Sequence, residues 1–109
     1  MNLIRLDQVK DRTALSAAGG RITVPQENRG WSIGVRPEDI KISRQGLSAR
    51  VDAIDFLGAE TIIRLVFEEQ SLFAKVNGRA KVAPGDRLTV NWSPDAVHLF
   101  NEKGMREDC

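Results

Sequence analysis

At 109 residues the chain has the length of one domain that folds around a single hydrophobic core. Its 16 basic and 15 acidic side chains leave a net charge of +1, which argues against a nucleic-acid binder that works by long-range attraction. Cys109 is the one cysteine, so no intrachain disulfide can form. No apolar run approaches the roughly 20 residues that cross a bilayer, and charged residues interrupt the start. These features predict a soluble, intracellular domain.

The first thirty residues give the weakest signals. Residues 2–6 and 21–24 have the composition of strands, and Gly19-Gly20 between them is typical of a turn. The segment 7–18 is ambiguous, because its alanines also favour a helix. We predict strand and loop there.

The hexapeptide GVRPED at residues 34–39 follows an apolar strand start. Gly34 allows close backbone approach, and Pro37 fixes φ and disfavours helix at the residue before it. Glu38 and Asp39 would complement the exposed N–H groups of a first helical turn. We interpret the hexapeptide first as a structural corner. The alternative is a contact role, in which Arg36 or Glu38 meets another domain or a second copy.

A long segment, LSARVDAIDFLG at residues 47–58, changes the phase of its apolar residues. Leu47, Ala49 and Val51 alternate in one phase, whereas Ile54 and Phe56 fall in the other. A shift of one residue near Ala53 predicts a β-bulge, which lets a strand bend around the corner of a barrel.

Three later segments alternate between apolar and polar residues, as half-buried strands do. They are TIIRLVF (61–67), LFAKV (72–76) and RLTVNW (87–92). Turn signals separate them: Glu68-Glu69, Asn77-Gly78 and Pro84-Gly85-Asp86. With the bent strand before them, they predict an all-β fold, an OB-like small β-barrel of short antiparallel strands. Residues 1–100 would form this single domain, and residues 101–109 a polar, frayed tail.

The sequence offers little for catalysis. His98 is the one histidine, it alternates with apolar neighbours as a strand residue does, and no nucleophile motif accompanies it. No phosphate-binding GxxxxGK[ST] loop is present. The six aromatic residues fall mostly on inward phases, so we assign nearly all of them to the core rather than to nucleic-acid stacking. We therefore expect a non-enzyme that binds neither a metal nor nucleic acid.

Four motifs in register resemble one family. GVRPEDIKIS (34–43), LGAET (57–61), the Pro84-Gly85-Asp86 turn and His98-Leu99-Phe100 are similar to the C-terminal regulatory domain, often called TOBE, of ATP-binding subunits from carbohydrate-type ABC importers. These are the importers of the maltose and sn-glycerol-3-phosphate class. Asp39 stands where the family more often has histidine, so a role that needs an imidazole there is not expected.

The resemblance implies a fragment of a cytoplasmic subunit at the inner face of the membrane. The ATPase motifs, with their ATP and Mg²⁺, would lie in an upstream domain of the same polypeptide. Implied partners are that domain, a second copy in a homodimer, the permease subunits, and a regulatory protein or small effector. The candidate interface or regulatory residues are Arg36, Glu38, Asp39, Gly58, Glu60 and Thr61.

A second hypothesis is a free-standing barrel that binds an oxyanion or another small ligand. Related barrels in molybdate-type systems bind oxyanions at subunit interfaces. Ser43, Arg44 and Lys75 would be the candidate ligands here, although nothing in the sequence clusters them. Ligand-dependent oligomerisation would distinguish this hypothesis from a ligand-indifferent dimer.

Overall fold

The computed structural model describes residues 1–10, 31–78, 80–100 and 106–107. Their eight strands form two four-stranded antiparallel sheets. The first sheet has the order β1-β2-β7-β8 and consists of β1 (Asn2–Arg5), β2 (Ser32–Val35), β7 (His98–Phe100) and β8 (Arg106–Glu107). The second has the order β5-β4-β3-β6 and consists of β3 (Lys41–Phe56), β4 (Glu60–Phe67), β5 (Gln70–Asn77) and β6 (Arg87–Asn91). The predicted all-β, OB-like class is confirmed.

Alternating apolar residues from both sheets meet in one core. Ile63, Leu65 and Phe67 of β4 face inward as the sequence predicts, and Ile4 and Ile33 face them from the first sheet's side of the core. Each such side chain contributes about 1.5–3 kcal/mol when it leaves water. The rest of the buried core comprises Leu6, Val9, Val35, Ile40, Leu47, Ala49, Val51, Leu72, Ala74, Val90 and Trp92.

The strand β3 is 16 residues long because two irregularities let it bend. Its pairing with β4 shifts register between Val51 and Ala53, which confirms the predicted bulge. Its pairing with β6 shifts between Ile42 and Leu47. Gly46 lies in that second irregularity with φ +143°, and a Cβ there would collide with the Val90 carbonyl. Despite the two irregularities, β3 pairs with β4 on one side and with β6 on the other.

Two of the turns lie where the sequence predicts them. Glu68 and Glu69 connect β4 to β5 with positive φ values of 46° and 68°, as a two-residue hairpin with a primed turn requires. Residues 84–85 form the turn before β6. The predicted strand at residues 21–24 and the Gly19-Gly20 turn lie outside the described residues. So does most of the predicted polar tail, of which Arg106–Glu107 pair with β7.

Two aromatic residues are exposed, so the assignment of nearly all six aromatic residues to the core is wrong for Phe56 and Phe73. Phe56 is 49% exposed and Phe73 is 42% exposed. Phe56 follows the bulge near the end of β3, and Phe73 lies on the outward phase of the edge strand β5. The inward positions of β5 are taken by Leu72 and Ala74.

Two side-chain amides join the sheets at the edges where β1 and β5 meet. The Asn2 amide donates to the Phe73 carbonyl at 2.7 Å and accepts from the Phe73 N–H at 2.8 Å. The Gln70 amide accepts from the Arg5 N–H at 2.7 Å and donates to the Arg5 carbonyl at 3.3 Å. Each amide therefore occupies the place of a peptide group on a neighbouring strand.

Replacing Asn2 by aspartate is expected to lower the free energy of unfolding by about 2 kcal/mol or more. The side chain is only 6% exposed, and the carboxylate would set a charged oxygen against the Phe73 carbonyl in place of a donor. Urea denaturation followed by circular dichroism measures the change. Gln8→Glu is the control, since it adds the same charge at an exposed position. Equal stabilities of the two variants would contradict the amide pairing.

Candidate functional site

A groove runs between the Pro37–Asp39 turn and the outer face of strands β4 and β5. It consists of two adjoining depressions of about 550 and 340 Å³, and we call it the Glu60 groove. Both depressions are lined by Glu38, Glu60 and Lys75. The groove therefore brings together residues from three separate parts of the chain.

The turn that forms one wall is built by proline. Arg36 is extended (φ −71°, ψ 146°), as the residue before a proline prefers, and Pro37 opens a single 3₁₀ turn. The Asp39 N–H closes the turn on the Arg36 carbonyl at 2.9 Å. Ile40 follows and is fully buried, so the turn is anchored in the core. The interpretation of the hexapeptide as a structural corner is confirmed.

Glu60 and Lys75 form an ion pair across the floor of the groove. The Lys75 Nζ lies 3.1 Å from the Glu60 Oε2, on adjacent strands of the second sheet. Both side chains are more than a third exposed, so the pair stabilises the fold by at most about 1 kcal/mol. The pair places one positive and one negative charge side by side in the groove. On the opposite wall the Lys41 Nζ donates to the Glu38 carbonyl at 2.9 Å.

The larger depression is partly apolar. Met1, Leu57 and Phe73 line it and are 55%, 57% and 42% exposed. Ile62 lies between them on β4 and is half-buried. Apolar side chains surrounded by charged ones have the composition of a protein–protein contact, with a hydrophobic centre and a polar rim.

The predicted site residues are only partly brought together. Glu38 and Glu60 line the same groove from opposite sides. Arg36 is exposed and Asp39 half-buried, and both belong to the turn rather than to the groove lining.

Of the two remaining predicted residues, Gly58 lies in the turn between β3 and β4, and Thr61 joins the start of β4 to the residue after β5. Gly58 has φ +77° in the turn that the Leu57 N–H closes on the Glu60 carbonyl at 2.8 Å. Thr61 is fully buried, and its hydroxyl donates to the Gly78 carbonyl at 2.6 Å. Gly58 and Thr61 thus have structural roles within two residues of Glu60, on the side of the groove that Glu60 lines.

Sequence reasoning missed Met1, Lys41 and Phe73 as groove residues. The outward phase of LFAKV did contain a signal, because Phe73 and Lys75 alternate with the inward residues of β5. No sequence pattern predicts that Met1 lines the groove, because its position depends on the contact between β1 and β5.

The ligands of the small-molecule hypothesis are not gathered in this groove. Lys75 lines it, whereas Ser43 and Arg44 lie in the irregular part of β3 and are absent from its lining. The Ser43 hydroxyl instead accepts from the Gln45 N–H at 3.4 Å.

Among the described residues, no group of three or more His, Cys, Asp and Glu side chains is arranged to hold a metal ion. His98 is half-buried on β7, opposite Gly34 of β2. No helix within the described ranges has the length and apolar character to cross a membrane.

Comparison with known proteins identifies the family. Residues 33–100 match the model of the TOBE domain. The sn-glycerol-3-phosphate import ATP-binding protein UgpC of Brucella abortus is 30% identical over 97% of this chain and 31% of its own length. The α-glucoside transport ATP-binding protein AglK of Rhizobium meliloti is 30% identical over 86% of this chain and 29% of its own length.

A third relative is also an import ATP-binding protein. The xylose/arabinose import ATP-binding protein XacK of Haloferax volcanii is 35% identical over 66% of this chain and 21% of its own length. The chain thus spans less than a third of each of these relatives. The predicted resemblance to a domain of carbohydrate-type ABC importer subunits is confirmed, and the chain belongs to the TOBE domain family.

Proposed function

We propose that the chain is the non-catalytic TOBE domain of an ATP-binding subunit in an ABC importer for a sugar or sn-glycerol-3-phosphate. The observation that carries this proposal is the match of nearly the whole chain to part of UgpC, a protein about three times longer. In such a subunit, ATP and Mg²⁺ would bind the ATPase domain of the same polypeptide. The subunit would act at the cytoplasmic face of the membrane, joined to permease subunits.

Within that subunit, we propose that the domain holds two copies together while the ATPase domains open and close. The Glu60 groove supports this role in two ways. Its exposed Leu57 and Phe73 offer apolar area that a partner would bury. Its rim carries both carboxylates and lysines, so a second copy can approach without a strong like-charge penalty.

Regulation would then work through the same pairing. An effector can shift a subunit between two states only if it binds one of them more tightly. A protein or small solute that binds the groove in one copy would compete with the second copy. Such an effector would therefore favour the state in which the two domains are apart.

The assignment to a transporter subunit is tested in the gene. We expect the reading frame that contains the Met1 codon to encode, further upstream, a P-loop and an ABC signature sequence. A stop codon in frame just before Met1, with no ATPase sequence upstream, would contradict the assignment. It would leave the family membership intact.

The pairing is tested with two groove variants of the full-length subunit. Leu57→Asp and Phe73→Asp should each weaken self-association by about tenfold or more, because each buries a charge at the centre of the contact. Sedimentation equilibrium measures the dissociation constant. Leu3→Asp is the matched control, since Leu3 is 53% exposed but does not line the groove. If the groove variants associate as tightly as the control variant, the groove is not the dimer contact.

A further inference from the structure

The dipeptide Asn77-Gly78 at the end of β5 combines a reactive sequence with a restrained backbone. Both residues are exposed, and Gly78 has φ +76° with open space where a Cβ would stand. Asn77 also lines the Glu60 groove and pairs in register with Glu60. The reactivity of this dipeptide therefore bears directly on the charge of the groove.

Asparagine followed by glycine is chemically labile, because the missing side chain lets the next peptide nitrogen reach the amide. The Gly78 nitrogen attacks the Asn77 side-chain carbonyl carbon, and a C–N bond forms. The amide nitrogen leaves as ammonia and takes up the proton that the peptide nitrogen has lost. Water then opens the resulting succinimide to aspartate or isoaspartate, with no change of oxidation state.

Both backbone groups of Gly78 are hydrogen-bonded. Its N–H donates to the Ala59 carbonyl at 2.7 Å, and its carbonyl accepts from the Thr61 hydroxyl at 2.6 Å. Thr61 is fully buried, so its hydroxyl is fixed by the packing around it. For attack, the Gly78 nitrogen must leave Ala59 and the peptide plane must turn. The reaction therefore needs a local opening of the hairpin end.

We propose that Asn77-Gly78 is a deamidation site whose rate is set by two hydrogen bonds, one that the Gly78 N–H donates to Ala59 and one that the Gly78 carbonyl accepts from Thr61. Deamidation places a third carboxylate in the Glu60 groove, beside Glu38 and Glu60. The new charge lies directly across the strand pair from Glu60, where like charges are unfavourable. It also competes with Glu60 for Lys75. The groove is thereby changed without any change in the gene.

The first test compares the folded chain with the same chain unfolded in urea. Both are incubated in mildly alkaline buffer, and peptide mapping by mass spectrometry follows conversion at Asn77. We expect conversion to be at least about tenfold slower in the folded chain, since it must await the opening. Asn91, which precedes the bulky Trp92, is an internal control that stays unconverted. Equal rates at Asn77 in the two states would overturn the proposal.

The second test separates the effect of the Thr61 hydroxyl on the deamidation rate from the effect of overall folding. Thr61→Val removes the hydroxyl at nearly constant shape, and Thr61→Ser keeps it. In folded samples, verified by melting curves, Thr61→Val should convert several-fold faster than wild type and Thr61→Ser at about the wild-type rate. An unchanged rate in folded Thr61→Val would overturn the role of Thr61. If Thr61→Val does not fold, the comparison of folded and unfolded wild type decides the proposal.

Discussion

The arrangement of the two sheets depends on their shared apolar core and, at the edges where β1 and β5 meet, on two side-chain amides. The Asn2 amide bonds to the backbone of Phe73, and the Gln70 amide bonds to the backbone of Arg5. The strands β1 and β5 are edges of different sheets, and an exposed edge presents unpaired N–H and C=O groups. Here one residue on each edge is satisfied by a side chain of the other strand. The amides thus add side-chain hydrogen bonds between the sheets at the side of the core where β1 and β5 meet.

This contact between the edges of β1 and β5 also helps to build the candidate site. Asn2 holds the backbone of Phe73, whose ring lies on the outward phase of β5 and lines the groove together with Met1. The Pro37–Asp39 turn then approaches β5 from the other side, anchored by buried Ile40. The groove between them is a consequence of how three elements meet, with the Glu60–Lys75 pair across its floor.

Much of the fold could be predicted because its signals are local. The alternation in TIIRLVF fixed the buried face of β4, and the change of phase near Ala53 indicated the bulge. The proline of the hexapeptide indicated the short turn. Each of these features depends on residues a few positions apart, where backbone geometry and sequence pattern are directly linked.

The candidate site was harder to predict because its contacts are distant in sequence. Asn2 and Phe73 are separated by 71 positions, and no local pattern marks their amide pairing. Phe73 is exposed because it lies on the outward phase of an edge strand. Its apolar side chain instead suggested a place in the core. The small-ligand hypothesis makes Lys75 an anion ligand, whereas in the structure Lys75 is paired with Glu60 on the neighbouring strand. Charge partners of this kind are set by register, which a single sequence does not reveal.

Backbone hydrogen exchange, measured by NMR, most directly tests the side-chain amide contacts between β1 and β5. By alternation along β5, the N–H groups of Phe73 and Lys75 both face the open edge of the second sheet, and Asn2 accepts from Phe73. We expect the Phe73 N–H to exchange at least about tenfold more slowly than that of Lys75, and Asn2→Ala to remove the difference. Equal exchange of the two groups in the wild-type chain would show that the amide pairing does not hold the sheets together.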